Sequence, residues 1–202
     1  VTERPAKASG RRPGTSQTRE AILDAAMESF TAKGFTSTTV RGVAREAGVD
    51  PALVIHFFGT KDGLFDAAVR SRGVPLRRLS EAVEGDRNGL GERLVRRYLS
   101  LWEDPETGPR LHAILHAAAA SEAAAALLRG FITEEVLRPI AKTLGGDHAE
   151  TRAILAGSTL IGLALVRYVL KVDALALLPA ETVVATAGPA VQRYLTGELD
   201  LE

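Results

Sequence analysis

The chain predicts an all-α fold, and three observations carry that prediction. Ala, Leu and Val dominate a composition that is 46% hydrophobic and only 5% aromatic, with long stretches free of strand signals. Apolar residues recur at helical spacing, as in Val40, Val43, Ala44 and Ala47, which fall at i, i+3, i+4 and i+7. Gly and Pro interrupt such runs at Gly34, Gly48, Gly73 and Pro75. A length of 202 residues holds one large or two small domains, and the hydrophobic fraction is ample for a core.

Taken in order, residues 1–14 carry Arg4, Lys7, Arg11 and Arg12 among Pro and Gly, which predicts a disordered basic arm. Such an arm either lies along phosphates or is a plain solvated tail, and its residues leave both readings open. The first helix, Ala21 to Lys33, sets Ile22, Ala25, Ala26 and Phe30 on one face, with Ser16 as its expected cap. Gly34-Phe35 breaks it. A second helix follows Thr39 and stops at Gly48, where a left-handed backbone favours the residue without a side chain. Asp50 and Pro51 then supply an N-cap and a first-turn proline, so a third helix starts almost at once. Leu53, Val54 and Phe57 anchor this helix from behind, which leaves Pro51, Ala52, Ile55 and His56 facing outward. Two short helices joined by so tight a turn read as the helix-turn-helix of a DNA-binding protein, and the outward face is the one a major groove would receive. A linking helix over residues 60–73 joins this head, residues 15–59, to a body, residues 74–202.

From Ser16 to Phe65 the chain resembles the TetR family of transcriptional regulators. The likeness rests on the first helix, the Gly34-Phe35 break, Thr39 as a cap, the spacing from Ala44 to Gly48, the pair Phe57-Phe58 and the spacing from Lys61 to Leu64. The resemblance implies that Thr39 and Lys61 hold phosphates and that Arg41, with the start of the third helix, reaches bases. A first-turn Lys61 also suits a phosphate on physical grounds, since helix-end N–H groups and an ammonium can grip the same anion. Three features depart from the family. Ile55 stands where Tyr is usual, so a hydroxyl contact to phosphate becomes apolar or absent. Gly42 stands where an acidic residue commonly completes the capping box. Pro51, Ala52 and Ile55 offer thymine methyls only apolar contact, which leaves Arg41 and His56 to read donors and acceptors and shifts weight to DNA shape.

The body is expected to hold helices over residues 75–83, 91–103, 109–120, 122–144, 148–172 and 179–195, with a kink or split at Pro139 and at Pro189. Ser121 breaks an Ala-rich run. Ile154 to Leu170 carries Arg167 as its only charge, and apolar groups surround it, which predicts burial on every side. Its small residues, shortness and flanking Arg152 and Lys171 argue against a membrane span. One face would meet the core and the other a second copy, with Gly157, Ser158 and Gly162 allowing close approach; by resemblance, residues 154–170 and 182–195 form a homodimer interface. Tyr98, Trp102, Phe131 and Tyr168 have spacings compatible with one apolar cavity or with ordinary core positions. His116 and Arg167 complete the candidate effector-pocket residues. A lone buried Arg needs a carboxylate or an anionic ligand, and an internal salt bridge is the favoured choice. His112 and His116 are four apart, but with no Glu between them and no Cys in the chain they read as core or pocket histidines rather than metal ligands.

Net charge is zero yet polarised: residues 1–72 hold 11 Lys and Arg against 8 Asp and Glu, and residues 73–202 hold 14 against 17. A basic head on a mildly acidic body puts positive potential where phosphates would lie. The lack of Cys excludes disulfide and thiolate chemistry, and with a polar, basic start it suggests a cytoplasmic location. No nucleophile constellation, phosphate loop or metal set emerges, so neither catalysis nor a cofactor is expected. By resemblance the expectation is a homodimeric repressor on a pseudo-palindromic double-stranded operator, released by a small apolar effector. The alternatives are a dimeric DNA-binding regulator with no effector, which a fully packed body would favour, and a helical enzyme fused to a DNA module.

Overall fold

The computed structural model describes residues 13–200, and all regular structure among them is helical. The expected basic arm falls on residues 1–14 and so lies almost wholly outside the described residues. α1 (Pro13–Ser37) starts before the expected cap, so Ser16 lies inside the helix; Pro13 suits a first turn, where a missing N–H costs nothing. Gly34, at φ 76° and ψ 168°, kinks α1 where the sequence predicts a break, in a region of backbone space essentially closed to other residues.

α2 (Val40–Glu46), α3 (Pro51–Phe58) and α4 (Lys61–Arg72) carry the predicted caps. The Thr39 hydroxyl accepts the Gly42 N–H at 3.0 Å, Asp50 Oδ1 accepts the Ala52 N–H at 2.7 Å, and the Thr60 hydroxyl accepts the Gly63 N–H at 3.0 Å. Gly48 turns the chain between α2 and α3 at φ 67°. Phe30, Phe35 and Phe65 meet with ring centroids 5.1 to 5.8 Å apart, which ties both sides of the α1 kink to α4.

In the body, residues 75–83 form two short 3₁₀ turns, Leu76–Leu79 and Glu81–Val83, in place of the expected helix. The segment is confined between Pro75 and Gly85, too short a stretch to offset helix nucleation. α5 (Leu90–Glu103) and α6 (Thr107–Ala120) follow, and Ser121 caps α7 (Glu122–Ile132) by accepting the Ala124 N–H at 3.3 Å. A π turn, Thr133–Leu137, leads into α8 (Arg138–Leu144). The interruption expected at Pro139 thus takes the form of a π turn. The π turn sets the ladder back by one residue, with the Arg138 N–H reaching the Thr133 carbonyl, just before the residue that cannot donate. α9 (Ala149–Ala164) ends in a second π turn, Leu165–Val169, and Lys171 at φ 52° stops it. A one-turn helix the sequence did not suggest, α10 (Asp173–Ala176), precedes α11 (Ala180–Thr196). α11 runs through Pro189 as one helix; Pro189 and Ala185, whose carbonyl loses its donor, are both exposed, so water can take that carbonyl.

α5 and α11 touch backbone to backbone. A Cβ on Gly91 would lie 2.2 Å from the Gly188 oxygen, and one on Gly188 would lie 2.6 Å from Glu92 Cγ. The Gly91 N–H donates to Gln192 Oε1 at 2.8 Å, and Arg96 grips Glu181 at 2.9 and 2.7 Å across the same pair. Head and body share one continuous buried cluster, with α1 against α6 and α4 against α7. Arg72 of α4 pairs with Glu20 and Asp24 of α1, while Arg70 lies 3.8 Å from Glu135 and 5.6 Å above the Phe131 ring.

α9 with its π turn, Ala149–Val169, is 21 residues long and, by length and composition, apolar enough to cross a membrane. Burial on every side is not what this chain alone achieves. Ala153, Ala156, Leu160, Ala164 and Arg167 face the core, whereas Ile154, Ser158, Ile161, Gly162 and Leu165 form an exposed stripe.

Candidate nucleic-acid interface

α3 presents an outward face because its apolar residues occupy only one side. Val54 is buried and Leu53, Phe57 and Phe58 are half-buried, so Pro51, Ala52, Ile55 and His56 are left exposed, Ile55 by 48%. Thr39 and Arg41, at the start of α2, are also exposed. The Thr39 hydroxyl is already engaged as an acceptor for Gly42 and keeps its own O–H free to donate elsewhere. His56 lies edge-on to Phe57 at 5.5 Å, which limits its ring to the outer side of the helix.

Lys61 has a role the sequence reading missed. Its ammonium donates to the carbonyls of Phe35 at 2.8 Å, Thr36 at 3.3 Å and Thr38 at 3.1 Å, and lies 4.4 Å over the Phe35 ring. An ammonium among three carbonyls of the turn after the Gly34 kink gains charge-assisted hydrogen bonds, and it locks the start of α4 to the turn before α2. Because Thr60 takes the Gly63 N–H, the first-turn N–H groups of Lys61 and Asp62 remain outside the helix's own ladder, beside this fixed positive charge.

The body holds a partly open apolar cavity of about 80 Å³ whose walls come from every body helix except α10 and from the 3₁₀ turn after α4, among them Leu79, Leu94, Ile114, Leu128, Ile140 and Leu160. Of the six candidate pocket residues, Tyr98 and Trp102 line it. Phe131 faces α4 instead, under Arg70. His116 is exposed and lines a separate open groove between α1 and α6, with His112 and the other face of Trp102. Tyr168 stacks on Trp102 with centroids 5.3 Å apart and donates its hydroxyl to Glu103 at 2.9 Å. Arg167 is buried and makes the expected internal pair, with Glu103 at 3.4 Å, and donates to the Leu175 carbonyl at 2.6 Å. The wall residues escaped the sequence reading because an apolar side chain at helical spacing looks the same whether it meets a neighbour or a void.

The titratable groups around Trp102 are held neutral by burial. Desolvation pushes the Tyr98 phenol up to about 12, against the influence of the Trp102 N–H, and desolvation pushes Tyr168 up to about 12 as well. Burial, then the nearby charges of His116 and Lys171, hold His112 below the ordinary histidine range. Among the described residues no group of three or more His, Cys, Asp or Glu side chains could hold a metal ion.

Comparison with known proteins agrees with this architecture in both halves. A family model described as tetracyclin repressor-like, C-terminal domain, matches residues 88–195, and one described as bacterial regulatory proteins, tetR family, matches residues 22–68. The chain belongs to the TetR family of DNA-binding transcriptional regulators, a non-enzymatic class built on a helix-turn-helix head and a helical body. It is similar to the HTH-type transcriptional regulator BetI of Stenotrophomonas maltophilia (strain R551-3), with 38% identity over 74 residues that cover 37% of this chain and 36% of that one. The chain thus spans between about a quarter and three fifths of the length of the curated relatives it matches. A TetR-family regulator of Streptomyces coelicolor A3 is 37% identical in its crystal structure, covering 93% of this chain and 99% of that chain at a TM-score of 0.64. NalD of Pseudomonas aeruginosa, the secondary repressor of the MexAB-OprM multidrug efflux pump, shares the fold at 21% identity, 93% and 100% coverage and a TM-score of 0.62.

Proposed function

We propose that this protein is a homodimeric repressor that binds a pseudo-palindromic operator through two α3 helices and releases it when a small apolar molecule enters the body cavity. One observation carries the switching part: Leu128 of α7 lines both the cavity and the crevice that α7 forms with Phe65, Asp66 and Val69 of α4. An occupant that displaces Leu128 pushes on the helix that carries the head. In the DNA complex, Pro51, Ala52 and Ile55 meet thymine methyls, Arg41 and His56 reach base edges, and Thr39 and the first turn of α4, backed by the Lys61 charge, take phosphates. The exposed stripe Ile154, Ile161 and Leu165, with the outer face of residues 182–195, meets its counterpart in the second copy. Access to DNA places such a protein in the cytoplasm.

Operator and effector must then oppose each other by the same factor in both directions. Selection of bound sequences from random duplexes, a compound screen for release, and titration of a hit with and without operator test the reading together. Selected and scrambled duplexes bound equally at moderate salt would end the specific-DNA claim. Equal effector affinity in the two titrations would end only the allosteric claim. The cavity's small volume supports a second reading, a dimeric regulator with no effector, and a body ligand that leaves operator affinity unchanged is its expected result.

A further inference from the structure

The cavity wall is almost wholly apolar, built of Leu, Ile, Val, Ala and Gly, with no charged residue, and only Tyr98 and Trp102 among its lining residues carry a side-chain polar atom. Tyr98 and Trp102, one turn apart on α5, meet edge to face with centroids 6.3 Å apart. Trp102 is only 6% exposed, and its indole N–H has no hydrogen-bond partner among the described residues. A buried donor left in that state carries a desolvation penalty that any suitable acceptor removes. The Trp102 N–H has no partner at hydrogen-bond distance but lies near enough to the Tyr98 hydroxyl to act on the phenol, and both residues line the cavity.

We infer that the body site recognises a compact, uncharged molecule carrying a single oxygen, a small alcohol or carbonyl, whose oxygen accepts from Trp102 Nε1 and exchanges a hydrogen bond with the Tyr98 hydroxyl. The inference rests on the reading of this cavity as the effector site and adds the chemistry of its occupant. Ions are excluded because nothing in the wall compensates a buried charge. The one buried guanidinium among the described residues, Arg167, lies outside the wall and is engaged by Glu103 and the Leu175 carbonyl. Size is bounded too. A cavity of about 80 Å³ is about half the ~150 Å³ apolar cavity that accepts benzene, so a body of about three or four non-hydrogen atoms is the largest the walls admit without parting. Selectivity follows from polar satisfaction: a hydrocarbon of the same shape fits the carbon walls but leaves the indole N–H unpartnered.

Trp102 is the chain's only tryptophan, so its emission reports occupancy of this cavity directly. The whole protein is titrated with propan-2-ol, 2-methylpropane and isopropylammonium, in the parent and in Tyr98→Phe, which keeps both the ring and the reporter. Propan-2-ol should bind the parent and lose about tenfold in Tyr98→Phe, while 2-methylpropane changes less than about twofold. Trp102→Phe, followed by ligand-induced shift of the thermal midpoint, should show the same selective loss for the alcohol. Equal loss for alcohol and hydrocarbon, or none for either, overturns the oxygen recognition and leaves the apolar effector site standing. Tighter binding of isopropylammonium than of propan-2-ol overturns the exclusion of charge. No response of emission or midpoint to any of the three overturns both this inference and the assignment of the cavity.

Discussion

Lys61→Met separates the two roles that meet at the start of α4. Methionine keeps most of the aliphatic stem over Phe35 but removes the ammonium that donates to Phe35, Thr36 and Thr38 at 2.8, 3.3 and 3.1 Å. A hydrogen bond to a charged group nets about 1.5–3 kcal/mol, and a cation over a partly exposed ring adds about 0.5–1 kcal/mol. Lys61 is half-buried and its longest contact is weak, so solvent screening holds the total near the low end, about 2 kcal/mol. For a chain of this size each kcal/mol moves the thermal midpoint by about 2–4 °C, which gives a fall of about 4–8 °C by circular dichroism. Loss of one positive charge beside the phosphate site should also shallow the slope of log binding constant against log salt by about 0.9. A midpoint within about 1 °C of the parent would refute the carbonyl cage. A parent-like midpoint with a shallower slope would mean that Lys61 leaves those carbonyls and serves DNA alone.

Four further outcomes are expected. Gly162→Glu places a charge on the exposed stripe at a position where a Cβ meets nothing within 4 Å, so the subunit folds but sediments as monomer or aggregates; a soluble, unchanged dimer would put the interface elsewhere. Gly91→Ala drives a methyl into the Gly188 carbonyl and should lower stability by about 1–3 kcal/mol in urea unfolding, and an unchanged midpoint would mean that α5 and α11 part freely. His112 is held below its ordinary range by burial and by His116 and Lys171, so the unfolded chain binds the proton more readily. Its contribution to stability is complete above a pH of about 6.5 and falls as pH drops from there through the lowered folded-state value; His112→Gln should flatten that part of the pH profile, and an unaltered profile counts against it. Arg41→Ala and His56→Ala should each change the selected base sequence as well as affinity, whereas uniform weakening across sequences would reassign them to phosphates.

Much of the head was legible in the chain because its signals are local. Thr39, Asp50-Pro51 and Thr60 cap helices with atoms two or three residues away, and Gly34 and Gly48 mark backbone conformations that other residues avoid. The same locality separates Val54 from Ile55 and His56, since a short helix with one apolar side has only one way to face. Pro139 likewise marks an interruption of the 122–144 helix, and the π turn before it shifts the ladder by one residue.

By itself, then, the sequence determined an all-α chain, the boundaries of its reading helices, the outward face of α3 and the need of Arg167 for an internal partner, all consequences of spacing and of the chemistry of single residues. Tertiary structure alone decided that Lys61 closes the end of α1, 26 residues away, and that Gly91 meets Gly188. It also decided that Tyr98 and Trp102 border a cavity while Phe131, His116, Arg167 and Tyr168 do not, and that Leu128 touches both the cavity and the crevice beside α4. Those facts depend on which helix faces come together, and an apolar side chain carries no mark of whether its neighbour across the core is carbon or empty space.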